Sequence, residues 1–146
     1  MKKYLLVSVL LVLTNIASAG EEATYYPVPG TEGLPFSEAV QVGDLLFLAG
    51  KLGTVPGKRE LAAGGIQGET RQSMENIKTV VERHGASMND VVKCTVFMAD
   101  IAEWASMNEV YVSYFPKNRP ARSALGVSGL ALGARVEIEC IVALSK

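Results

Sequence analysis

The chain has 146 residues, of which 49% are hydrophobic and 20% charged, and its formal net charge is −1. This length fits a single domain whose core needs no disulfide support, and the apolar fraction excludes a disordered chain. A nearly neutral charge argues against a dedicated nucleic-acid-binding protein, because such proteins carry a strong basic excess. His84 is the only histidine in the sequence, which excludes a site with two histidine ligands, and we expect no metal.

The start of the chain has the features of a secretory signal peptide. A basic beginning is followed by an apolar run at 4–16 and by small residues at 17–19. The apolar run is shorter than the roughly 20 residues that a transmembrane helix requires, although an uncleaved anchor remains the alternative. We therefore expect 1–19 to be removed on export to the periplasm or outside the cell. Residues 20–146 would then form one domain, free of the membrane, with a net charge of −3 because two lysines and no acids leave with the leader.

The hydrophobic patterning predicts an α+β domain. Residues 21–32 form a polar lead-in that can begin with an edge strand, and the glycine-rich stretch 51–68 is predicted to be a long loop of a kind that is often functional. The predicted regular elements are strands at 39–42 and 45–49 joined by a tight turn at Gly43 and Asp44, a helix at 69–84, a strand at 91–98, a helix capped by Asp100 and ended by Pro116, and strands at 122–127 and 135–144. The order ββαβαββ predicts a mixed sheet with both helices packed on one face.

Two cysteines lie in predicted strands. Cys94 and Cys140 each have apolar residues two positions away, so each is expected on the apolar face of its strand. Export would permit a disulfide bond, but free cysteine is also common in protein cores. We favour two buried free thiols, and the sequence leaves the pairing open.

Few residues suggest chemistry by type and spacing. The sequence has no phosphate-binding glycine loop, His84 lies at a predicted helix end, and Trp104 follows a helical spacing that favours core packing. Arg122 is unusual among small and apolar neighbours in a predicted strand, and Glu137 alternates with apolar residues in another. We expect both on the sheet face that the helices leave uncovered, where the arginine could bind a carboxylate and the glutamate could deprotonate water. An Arg122–Glu137 salt bridge, or plain solvated positions, is the alternative.

Seven short stretches of the chain resemble motifs of a known family, and they occur in the same order and spacing as in that family. They are 35–44 (PFSEAVQVGD), 48–50 (LAG), 71–77 (RQSMENI), 90–96 (DVVKCTV), 108–115 (NEVYVSYF), 119–124 (RPARSA) and 133–139 (GARVEIE). Together they resemble the RidA/YjgF family of enamine/imine deaminases, from about Gly33 to Leu144. The last two stretches, at their separation, carry the most specific part of the resemblance.

The resemblance implies a chorismate-mutase-like fold assembled as a homotrimer, with ligand clefts between subunits. It further implies that the protein is a hydrolase of the 2-iminobutanoate/2-iminopropanoate deaminase type. Such an enzyme converts 2-aminoacrylate-type enamines and imines to 2-keto acids and ammonia without a cofactor. By the same resemblance, Arg122 holds the substrate carboxylate and Glu137 is associated with the water that reacts. Further substrate-binding positions are Phe36, Gly50, Asn108 and Ala124.

Three positions depart from the family's usual residues. Phe36, Ala49 and Ala124 stand where many members carry tyrosine, serine and cysteine, so two hydroxyls and a thiol are absent. An exported copy would also meet few enamines of cytosolic origin. The alternative is therefore a non-catalytic module that binds keto acids or other small carboxylates at subunit interfaces. A ribonuclease activity is the weakest hypothesis, because phosphate contacts require clustered basic residues.

Overall fold

The computed structural model describes residues 21–31 and 33–144, so the predicted signal peptide lies outside the described residues. The strands are β1 (Thr24–Tyr26), β2 (Ala39–Val42), β3 (Leu45–Leu48), β4 (Lys51–Leu52), β5 (Val91–Met98), β6 (Ala121–Gly126) and β7 (Val136–Ala143), and the α-helices are α1 (Gly65–Arg83) and α2 (Trp104–Tyr111).

The strands form one mixed sheet in the order β1-β2-β3-β7-β5-β6. The short strand β4 pairs with the first half of β7, while β3 pairs with its second half. Strands β5 and β6 are parallel because α2 crosses over between them, and the other pairs are antiparallel. The predicted mixed sheet is thus confirmed.

Both helices cover one face of this sheet. In β5 and β7, alternate residues such as Val96 and Ile138 are fully buried, and they belong to one apolar cluster with Met74 and Ile77 of α1 and Met107 of α2. Alternation arises because successive side chains of a strand point to opposite faces. The residues between them, including Glu137, therefore lie on the face that carries no helix.

The glycine-rich stretch is more ordered than the sequence predicts. Helix α1 begins at Gly65, four residues before the predicted start, because Ile66 is buried in the core and stabilises the first turn. Before it, β4 pairs with β7 and Thr54 forms a β-bridge with Leu61. The predicted loop at 51–68 is thus partly wrong, and the lead-in does contain an edge strand, β1.

Cys94 and Cys140 form a disulfide bond, so the preference for two free thiols was wrong. The two residues face each other directly across the antiparallel β5–β7 pair, with their Cα atoms 4.1 Å apart. Both are buried, as their apolar neighbours predict. The sequence indicates the shared face correctly, but only the register of the two strands brings the sulfurs together.

Candidate functional site

Arg122 is held in a defined position on edge strand β6. Its guanidinium Cζ lies 4.7 Å from the centroid of the Tyr111 ring and 5.6 Å from that of Trp104. Its Nη1 donates a hydrogen bond of 2.6 Å to Oδ1 of Asn108 on α2. These contacts consist of two aromatic rings and one neutral acceptor. Arg122 takes part in none of the ion pairs among the described residues, so its charge has no carboxylate partner there. The guanidinium is therefore arranged to receive an anion.

A cavity of about 600 Å³ opens beside this arginine. Its wall combines the guanidinium of Arg122 and the amide of Asn108 with the apolar side chains of Trp104, Val112 and Phe115. The cavity suits a small organic anion, since a charged group fixes one end and apolar groups surround the rest.

Tyr111 adds a polar group to the same wall. Its hydroxyl is buried and has no hydrogen-bond partner among the described residues. Burial raises the pKa of Tyr111 to about 12, although the neighbouring Arg122 acts in the opposite direction. The hydroxyl is therefore protonated at neutral pH.

Glu137 belongs to a second cluster, where β4 meets β7. It pairs in register with Leu52 and Phe97, and its carboxylate lies beside Gly50 so closely that a Cβ on this glycine would come within 2.0 Å of Oε1. Burial, followed by repulsion from Glu139, raises the pKa of Glu137 above its usual range. A carboxylate with a raised pKa is a stronger base than a solvated one.

Arg122 and Glu137 lie on opposite faces of the sheet, so the expectation that both occupy the uncovered face was wrong for the arginine. Arg122 pairs in parallel register with the buried Cys94, which places its side chain on the helix-covered face. Glu137 alternates with buried Val136 and Ile138 and points the other way. No salt bridge joins the two within the described residues.

The remaining predicted site residues follow this division. Asn108 accompanies Arg122, and Gly50 accompanies Glu137. Ala124, two residues after Arg122 on the same strand, packs partly against the core. Phe36 lies in the loop before β2, with 55% of its surface exposed. Within one chain, Arg122 and Asn108 thus form one cluster and Glu137 and Gly50 form another, while Phe36 lies in the loop before β2.

Sequence reasoning missed the aromatic support of Arg122. Trp104 was expected in the core, but 44% of its surface is exposed, and its ring flanks the guanidinium instead. Tyr111 is buried as expected, yet it also touches the arginine. The spacing of seven residues places both on one face of α2, which was the available signal.

The described residues contain neither a helix able to cross a bilayer nor a cluster of three His, Cys, Asp or Glu residues placed to hold a metal ion.

Comparison with known proteins identifies the family. Residues 31–144 match the family described as endoribonuclease L-PSP. The chain belongs to the RidA/YjgF family. It is 45% identical over 107 residues to a RutC family protein of Pyrococcus horikoshii, covering 73% of this chain and 85% of that protein. It is 39% identical over 107 residues to a mouse protein named 2-iminobutanoate/2-iminopropanoate deaminase, covering 73% of this chain and 79% of the relative.

Solved structures of this family have the same fold. RidA from an Antarctic Psychrobacter species superposes with a TM-score of 0.73 at 38% identity, covering 82% of this chain and 94% of that one. Escherichia coli TdcF, solved with bound serine, gives a TM-score of 0.73 at 34% identity, covering 86% and 98%. The α+β fold of the YjgF type predicted from the resemblance is thereby confirmed.

Proposed function

We propose that the protein is an enamine/imine deaminase that hydrolyses 2-aminoacrylate-type intermediates to 2-keto acids and ammonia. The observation that carries the proposal is Arg122, stacked on Tyr111 and anchored by Asn108 beside an apolar cavity. This is the arrangement that a small 2-imino acid needs, with a fixed cation for the carboxylate and an apolar surface for the side chain. Relatives with 38–40% identity that are named as deaminases of this type support the proposal.

The proposed active unit is a homotrimer with its clefts between subunits. Within one chain Arg122 and Glu137 point away from each other across the sheet, so a cleft containing both needs two copies. The helix-free face carries Leu45, Phe47 and Leu125, each about 40% exposed, which is unusual for a surface that faces water only. Burial of these side chains against neighbouring copies would favour assembly.

In the proposed reaction, the imino acid R–C(=NH)–COO⁻ binds with its carboxylate on Arg122. Glu137 of a neighbouring copy accepts a proton from water as the water oxygen bonds to the imine carbon, giving a carbinolamine. Glu137 returns this proton to the former imine nitrogen, which completes the carbinolamine R–C(OH)(NH₂)–COO⁻. The hydroxyl proton then passes through Glu137 to the amine nitrogen, the C–N bond breaks as the C=O bond forms, and the 2-keto acid and ammonia leave. The raised pKa of Glu137 suits these proton transfers, because burial makes the carboxylate a better proton acceptor than a solvated one.

We also propose that the protein is exported. The signal-like features of 1–19 predict export, and the Cys94–Cys140 disulfide is of a kind that persists in oxidising compartments outside the cytosol.

A coupled assay tests the deaminase proposal. An amino-acid oxidase generates imines in place, and the release of keto acid is compared for the wild type, Arg122→Ala and Glu137→Gln. We expect both variants to lose turnover about a hundredfold or more. Arg59→Ala, at an exposed loop position, is the matched control and should retain turnover. Wild-type protein that leaves the spontaneous rate of imine hydrolysis unchanged would refute the proposal.

The second candidate function is carboxylate binding without turnover, which is favoured by the missing polar groups at Phe36, Ala49 and Ala124. The relative TdcF was solved with bound serine, an amino acid that carries a carboxylate, and this lends the second function support. Under this hypothesis Arg122→Ala abolishes binding of a keto acid, whereas Glu137→Gln changes nothing. Calorimetric titration of pyruvate into the three proteins measures this binding, and the coupled assay separates the two functions, because a binding module gives no turnover in the wild type.

A further inference from the structure

A second cavity, of about 290 Å³, lies between β4, the C-terminal half of α1 and the loop 54–58. The charged side chains in its lining include Glu38, Lys51 and Arg83. It shares no lining residue with the cavity beside Arg122. The proposed deaminase chemistry therefore makes no use of it.

Two cations in this cavity share one buried carboxylate. Glu38 is only 6% exposed; its Oε2 accepts a hydrogen bond from Nη1 of Arg83, and its Oε1 lies 3.5 Å from Nζ of Lys51. The trio carries a net positive charge, and its Lys51 side chain is largely buried, whereas 43% of the Arg83 side chain is exposed. Burying an excess charge is costly unless a further partner compensates for it.

Lys51 is the more buried cation of the trio, and its donors have few contacts among the described residues. Its ammonium has three donors, while the ion pairs and hydrogen bonds of the described residues give it the single 3.5 Å contact with Glu38. The side chain is only 16% exposed, so water compensates for little of this deficit. Burial lowers the pKa of Lys51 more than the neighbouring Glu38 raises it. An anion bound in the cavity would supply the missing acceptors.

Besides the polar residues Thr54, Lys58, Asn76 and Thr79, the lining has an apolar part, and this part indicates the chemical class of that anion. Val28, Val55 and Pro56 contribute apolar groups to the cavity that Lys51 and Arg83 line. A bare inorganic anion would leave this apolar surface unused. We propose that the cavity binds a small aliphatic carboxylate, with its carboxyl group at Lys51 and Arg83 and its hydrocarbon chain against Val28, Val55 and Pro56.

The test uses full-length mature protein carrying Arg122→Ala, so that the proposed active site cannot contribute. Propanoate, butanoate, pentanoate and inorganic phosphate are titrated by calorimetry. Affinity should rise about two- to fourfold for each added CH₂ group, because each group buries further apolar surface. Lys51→Gln should weaken binding about tenfold or more, since a charge-assisted hydrogen bond is lost. Lys78→Gln, which removes an exposed α1 lysine paired with Glu82, should have no effect.

A further variant covers the case in which Lys51→Gln does not fold. Val55→Thr keeps the volume of the side chain and leaves the ion pairs intact, and it should flatten the dependence on chain length. The proposal is overturned if no carboxylate binds, if affinity does not depend on chain length, or if phosphate binds as tightly as pentanoate. Equal binding by the Lys51→Gln and Lys78→Gln proteins would overturn it as well. Because all measurements are made without Arg122, the result does not depend on the deaminase proposal.

Discussion

The charge of Arg122 is stabilised without a carboxylate partner among the described residues. Two aromatic rings and the Asn108 amide orient the guanidinium, yet none of them neutralises it. An arginine that serves only structure is usually paired with Asp or Glu, as Arg135 is with Glu103 in this chain. The contrast between these two arginines supports a ligand-binding role for Arg122.

Glu137 should make the folded protein less stable as the pH rises. Its pKa in the folded state lies above its usual value, so the folded state binds more protons than the unfolded chain at pH values just above 4.5. This contribution to stability is therefore fully present below that pH and is lost as the pH rises through the raised pKa. Glu137→Gln should unfold at the same urea concentration as the wild type at pH 4 and at a higher one at pH 7.

Urea unfolding at fixed protein concentration measures this difference, and Glu139→Gln is the control. Removing Glu139 takes away only the smaller of the two causes of the pKa shift, so its effect should have the same direction and a smaller size. A wild-type protein that is stabilised relative to Glu137→Gln at pH 7 would contradict the expected sign.

At the scale of elements, the junction between β3 and β4 positions Glu137. Gly50 lies between the two strands that pair with opposite halves of β7, and only hydrogen occupies the space beside the Glu137 carboxylate. Gly50→Ala should displace this carboxylate, because the added Cβ would meet Oε1, Cδ and Cγ within 3.1 Å. We expect folding to survive, since only a flexible side chain must move, and turnover to fall about tenfold or more.

Gly129→Ala is the matched control, because a Cβ at Gly129 meets nothing within 4 Å. The coupled assay and thermal unfolding are run on both variants. Full activity in a folded Gly50→Ala protein would show that the position of Glu137 does not matter.

The disulfide links β5 and β7, which are adjacent strands within the sheet. Cys94 and Cys140 are 46 residues apart in the sequence. A cross-link that closes a loop of this length lowers the entropy of the unfolded chain and thereby raises its free energy by about 4 kcal/mol. The double variant Cys94→Ala/Cys140→Ala should therefore unfold at a markedly lower urea concentration than the oxidised wild type. Reductant should destabilise the wild type and leave the variant unchanged. Equal stability of the oxidised wild type and the variant would contradict the prediction.

The face of Glu137 was predictable from the sequence, whereas that of Arg122 was not. Strand β7 is central, and its buried residues alternate strictly, so the pattern places Glu137 on the opposite face. Strand β6 lies at the edge of the sheet, and both Ala124 and its neighbour Leu125 are apolar, so no alternation marks a face. Its orientation comes from parallel pairing with β5, a long-range contact that local spacing does not contain.

The second cavity, which Lys51 lines, was not predicted from the sequence for a similar reason. Glu38, Lys51 and Arg83 lie just before β2, on β4 and at the end of α1, and they come together only when β4 pairs with β7 beneath the helix. The stretch that contains Lys51 has few apolar residues in a regular pattern, so the sequence predicts a loop there.

At the scale of the whole molecule, the proposed reaction requires Arg122 and Glu137 in one cleft, although one chain places them on opposite faces of the sheet. One face of the sheet carries Glu137 among exposed apolar side chains, and the opposite face carries Arg122 at the open edge strand β6. In the proposed ring of copies, the edge of one chain would meet the uncovered face of the next, so every cleft would take Arg122 from one chain and Glu137 from its neighbour.

Mixing two inactive variants tests this arrangement. Arg122→Ala and Glu137→Gln homotrimers should each be inactive, but a mixed trimer contains a cleft in which an intact Arg122 from one variant faces an intact Glu137 from the other. The two proteins are co-expressed with different affinity tags, and doubly tagged trimers are isolated and assayed. A ring with two copies of one variant and one of the other has a single intact cleft, so about a third of the wild-type turnover should return. If both residues acted within one chain, every cleft would keep one defect and the mixed trimers would stay inactive.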